Sequence, residues 1–88
     1  MKNQMQIVEL KKYVNKIYNN MNNNTVDFNL FIKVIDNIFC IANNISDEND
    51  INYLNEKLSD MLNAFEEKDY DMFLDILSYE IIPMFEEV

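Results

Sequence analysis

The sequence predicts an all-α protein, an up-down-up-down bundle of four helices in a single domain spanning residues 1–88. Three observations lead there. Apolar residues recur at alternating spacings of three and four in each of four segments, the period of a helix face. The segments are separated by three to five residues, a length that suits antiparallel neighbours. No stretch alternates apolar and polar residues between turn signals as a half-buried strand would.

The first helix is expected from about Asn3 to Met21, with Ile7, Leu10, Val14, Ile17 and Met21 on one face. Asn22, Asn23 and Asn24 then break the pattern. In a chain without glycine, asparagine is the residue best able to take the left-handed conformation that ends a helix.

The stretch from Val26 to Ile45 is the expected centre of the domain. On a helical wheel Phe28, Phe31, Ile35, Ile38, Ala42 and Ile45 form the main seam. Ile32 and Phe39 flank it on one side, and Leu30, Val34 and Ile41 on the other. The apolar arc is about 200° wide, where a surface helix needs a little over 100°. Thr25 is the expected N-cap, with Asp27 in the first turn. Cys40 has two readings. Cysteine is among the most buried residue types, yet the wheel sets Cys40 beside Lys33, Asp36, Asn37 and Asn44.

Ser46 or Asp47 caps the third helix, whose seam is Ile51, Leu54, Leu58, Met61 and Phe65. Asp69 caps the fourth, with Tyr70, Phe73, Leu77, Ile81 and Met84 on its inner face. Pro83 lacks an N–H and crowds the Tyr79 carbonyl, so the fourth helix kinks or ends there. Because Met84 and Phe85 resume the apolar pattern, a kink followed by a short continuation is the expected form.

Composition narrows the chemistry. With no histidine, the Glu-x-x-His diiron motif, the common zinc sites and histidine-based triads are ruled out. With no glycine, there is no glycine-rich loop to cradle a phosphate. The acidic run Ser46–Asp50 lacks the ligand alternation of a calcium loop, and helix-start carboxylates account for it. No enzymatic activity, cofactor or metal is expected. The single cysteine, the absence of an apolar leader and the absence of a long apolar run point to a cytoplasmic protein that does not enter a membrane.

The net charge of −9 is unevenly spread: residues 1–26 hold four lysines against Glu9, and residues 27–88 hold fifteen carboxylates against three lysines. Such a chain repels nucleic acid at long range. The positive signal is surplus apolar surface. Leu30, Val34 and Ile41 form a second stripe on the central helix, and Met72, Ile76, Tyr79 and Pro83 form one on the fourth. Either these stripes pack internally, or they face a partner.

Asp69-Tyr70 followed by Asp75, Leu77, Tyr79-Glu80 and Pro83 resembles a C-terminal pattern in small uncharacterised acidic helical proteins of low-GC Gram-positive bacteria. That resemblance implies no activity and transfers no site. By size and charge the chain is also similar to bacterial secretion and flagellar export chaperones, which mask a helical part of a client. The expected role is therefore an interaction module, a chaperone, adaptor or regulator, holding a helical or disordered segment of another protein. A self-associating homodimer is one alternative, and an acidic decoy of a nucleic-acid-binding protein is another.

Overall fold

A computed structural model describes residues 4–87. Among them are four helices in chain order and no strand, so the all-α class holds. Helix α1 spans Gln4–Asn22, α2 spans Phe28–Ala42 and α3 spans Glu48–Glu66. The fourth helix runs as α4 (Tyr70–Ile76), a π-helical turn (Leu77–Ile81) and α5 (Ile82–Glu87). The expected start at Asn3 lies outside the described residues. The chain divides into two compact units, residues 1–44 and residues 45–88.

The first unit is the antiparallel hairpin of α1 and α2. Ile7, Leu10, Val14 and Ile17 are the buried face of α1, as their spacing requires. Helix α1 ends in a paired backbone cap. The Thr25 N–H donates to the Asn20 carbonyl at 2.8 Å and the Asn24 N–H to the Met21 carbonyl at 3.0 Å. Asn24 takes the left-handed conformation this cap needs, with φ of 60°. Thr25 does not cap α2. Its hydroxyl donates back to the Asn20 carbonyl at 2.9 Å, which ties it to the end of α1. The α2 N-cap is Asp27, whose carboxylate accepts the Asn29 N–H at 3.0 Å. Early α1 meets late α2 where the Asn37 amide donates to the Glu9 carboxylate at 3.4 Å.

The second unit pairs α3 with the fourth helix. Asp47 caps α3, accepting the Asn49 and Asp50 N–H groups. Asp69 caps α4, accepting the Met72 N–H at 3.1 Å. Between them α3 closes with the same paired cap as α1: Asp69 N–H to the Ala64 carbonyl at 2.8 Å and Lys68 N–H to the Phe65 carbonyl at 3.0 Å. Here Lys68 holds the left-handed position, at φ 61°. The turn is packed by aromatic rings. Phe65 lies 5.9 Å from Tyr70 and 6.0 Å from Phe73, centroid to centroid. The buried face of α3 is Leu54, Leu58, Met61 and Ala64, while Ile51 is exposed.

Pro83 neither ends the fourth helix nor leaves it in regular α form. The Leu77 N–H still reaches the Phe73 carbonyl, one α-turn back, but the Ile82 N–H reaches the Leu77 carbonyl, five residues back. In an α-helix the proline ring would meet the Tyr79 carbonyl; the wider turn before it makes room for the ring. A turn with one extra residue also rotates everything beyond it. The buried residues run Phe73, Leu74, Leu77, Ile81, Ile82 and Phe85. Phe85 therefore takes the inward position expected of Met84, which is only half-buried.

Two measurements check these features. Phe85→Ala should cost about 3–5 kcal/mol and Met84→Ala about 1 kcal/mol in chemical unfolding followed by helical circular dichroism. The reverse order would mean an unshifted helix. Lys68→Gly should raise stability by about 0.5–1 kcal/mol, since glycine takes a positive φ without the penalty a Cβ imposes.

Candidate functional site

The stripe expected on α2 is not a surface. Val34 and Ile41 are 0% exposed and Leu30 is 9% exposed. All three are core residues, which removes them as partner-binding candidates. An apolar arc of about 200° has two edges, and its polar gap does not reveal which edge turns inward. The Asn37–Glu9 contact sets α1 on the side of Leu30 and Ile41. The opposite edge is left outside: Phe28 and Phe39 are 53% exposed and Ile32 is 57% exposed. Phe28 still lies 6.5 Å from Phe31, ring to ring, along its own helix. The apolar pattern marks these three as apolar but carries no signal that they stay outside. Cys40 is exposed, on the polar side where the wheel sets it.

The stripe on the fourth helix is where the sequence puts it. Met72 and Tyr79 are exposed, Tyr79 by 75%, and Ile76 and Pro83 are partly exposed. The α4 register carries Met72 and Ile76, and the π-helical turn carries Tyr79. Tyr79 and Pro83 also line an open groove of about 460 Å³ with Asn49, Asp50, Tyr53, Glu80, Met84 and Glu87. This groove lies within the second unit, between early α3 and the end of the fourth helix.

One hydrogen bond braces the groove. The Tyr53 hydroxyl donates to the Glu80 carboxylate at 2.5 Å, joining α3 to the π turn. The Lys57 ammonium lies 5.4 Å from the Tyr53 ring centre, over its face. The Tyr53 phenol is pushed up from 10.0 to about 12. The bond to Glu80 is the main cause, followed by burial and then by the negative charges of Glu80 and Glu56. Tyr53 is therefore a fixed hydrogen-bond donor at neutral pH, and Glu80 is held in place as its acceptor.

The remaining lining chemistry is acidic and aromatic. Asp50 and Glu87 stand with Glu80 around the two tyrosines. Among the described residues no group of three or more His, Cys, Asp or Glu side chains is placed to hold a metal ion. No helix of the described residues is long and apolar enough to cross a membrane.

These features define a small all-helical protein with an apolar core, two exposed apolar stripes and a tyrosine-lined acidic groove. More particularly, residues 9–88 match the family described as "Domain of unknown function (DUF8042)", and the chain belongs to that family. No curated protein and no solved structure matches it.

The raised Tyr53 value makes a pH prediction. A folded-state pKa above the unfolded value favours the protonated phenol, so its contribution to stability is full below pH 10 and is lost as pH rises through about 12. Ultraviolet titration of tyrosinate should show a late step near pH 12, and Tyr53→Phe should remove it. If Tyr53→Phe instead loses its amplitude from the ordinary step near pH 10, the bond to Glu80 is not formed in solution.

Proposed function

We propose that the protein is a small acidic interaction module that holds a helical or disordered segment of another protein along the stripe Met72, Ile76, Tyr79 and Pro83. The observation that carries this reading is Tyr79, a large aromatic side chain exposed at the point where the stripe enters the groove. An exposed tyrosine has few rotatable bonds to immobilise and presents both an apolar ring and a hydroxyl, which suits a contact surface. Met72 adds an adaptable side chain beside it.

Charge selects the kind of segment. Residues 45–88 carry thirteen carboxylates against Lys57 and Lys68, a net charge of −11. A segment with apolar side chains for the stripe and lysine or arginine for Asp50 and Glu87 matches this face; an acidic segment is repelled. The role is that of an adaptor or chaperone in the cytoplasm, where the exposed Cys40 stays reduced.

A photo-crosslinking residue at position 79 should capture the partner in the native host. With the purified partner, Tyr79→Ser should keep the helical circular dichroism of wild type and weaken binding about tenfold, the loss expected for one well-placed aromatic contact. Added salt should weaken wild-type binding. Equal affinity of the two proteins would place the contact elsewhere.

A further inference from the structure

The exposed stripe of α2 is a separate surface and points to a different occupant. Phe28, Ile32, Ile35 and Phe39 are spaced four, three and four apart, so they form one line down the helix with the spacing of a coiled-coil seam. Ile35 is half-buried and the other three stand outside it. The line lies across α2 from Asn37, the residue that meets α1.

The order of side chains along this line is Phe, Ile, Ile, Phe. Its midpoint falls between Ile32 and Ile35. A second α2 run in the opposite direction about that point lays Phe28 on Phe39 of the other copy and Ile32 on Ile35. The stripe is thus matched in size to itself, which is what a twofold interface between identical chains requires.

Charge favours the same occupant. Residues 1–44 carry five lysines against Glu9, Asp27 and Asp36, a net charge of +2, whereas residues 45–88 hold −11. The polar arc of α2 between Asn29 and Cys40 carries Lys33 and Asp36, one charge of each sign. Two acidic chains therefore meet with least repulsion along this near-neutral face, and it offers no charge by which to select a strongly basic or acidic partner.

We propose that α2 pairs antiparallel with α2 of a second copy along Phe28, Ile32, Ile35 and Phe39. The pairing is independent of the Tyr79 surface. The four side chains present on the order of 300–400 Å² per copy, below the ~800 Å² per partner of a standard interface, so the dimer is reversible and concentration-dependent.

Sedimentation equilibrium of the full chain over a micromolar-to-millimolar range tests this. The mass should rise from 10.6 kDa towards twice that value, and should do so at lower protein concentration when salt screens the net charge of −9. Ile32→Asp should keep the helical circular dichroism of wild type and stay at the single-chain mass. Orientation is read in a Cys40→Ser background by mixing Phe28→Cys and Phe39→Cys chains in a glutathione redox buffer. In an equimolar mixture the 28–39 mixed disulfide should exceed each homodisulfide by well over the twofold ratio that random pairing gives. A ratio at or below twofold overturns the antiparallel order. A single-chain mass at every concentration overturns the proposal, as does a dimer that survives Ile32→Asp. Loss of helix in Ile32→Asp would show the stripe to be internal and overturns it too.

Discussion

The buried side chains of this protein are all apolar: among the described residues no polar or charged side chain is buried. The interaction that holds each unit together is therefore hydrophobic packing, which is strong but non-directional. Among the described residues no buried polar network fixes how one helix is turned against the next. Direction comes from the ends and the surface. Asp27, Asp47 and Asp69 set where helices begin, and the left-handed Asn24 and Lys68 set where the chain reverses. Each of these is worth about 1 kcal/mol, small beside the packing, yet they are the terms that choose among rotations of similar packing energy.

Pro83 is the one residue whose covalent structure overrides helix regularity. Its missing N–H and its ring select the π turn, and the π turn has two consequences. It brings Ile82 and Phe85 into the core in place of Met84, and it carries Glu80 to Tyr53. Wide turns of this kind are frequent at functional sites, but accommodating a proline is a sufficient structural reason for this one. The groove that results is a by-product of the core's geometry, and its tyrosines and carboxylates give it chemical character.

The two units differ in what they expose. The hairpin of α1 and α2 is nearly neutral and presents a self-matched apolar line; the unit of residues 45–88 is strongly acidic and presents a single exposed tyrosine at the mouth of a groove. Long-range electrostatics and short-range burial are thus carried by different parts of one short chain. A chain of 88 residues has limited core to spend on stability, so apolar side chains left outside at half exposure represent burial forgone.

Local chemistry in the sequence determined the helical class, the four segments, the cap at Asp69 and the left-handed end after Met21. Each follows from period, capping or steric rules that act within a few residues. Tertiary structure decided the rest. Thr25 and Asp27 are both good caps, and only the backbone reversal after α1 engages Thr25 elsewhere. Which edge of α2 turned inward depended on where α1 lies, because the apolar arc is symmetric about its polar gap; Leu30, Val34 and Ile41 became core and Phe28, Ile32 and Phe39 stayed outside. The exchange of Met84 for Phe85 depended on how the proline strain was relieved, by a kink or by a widened turn. The Tyr53–Glu80 bond joins residues 27 apart in sequence, and no local rule brings two such positions together.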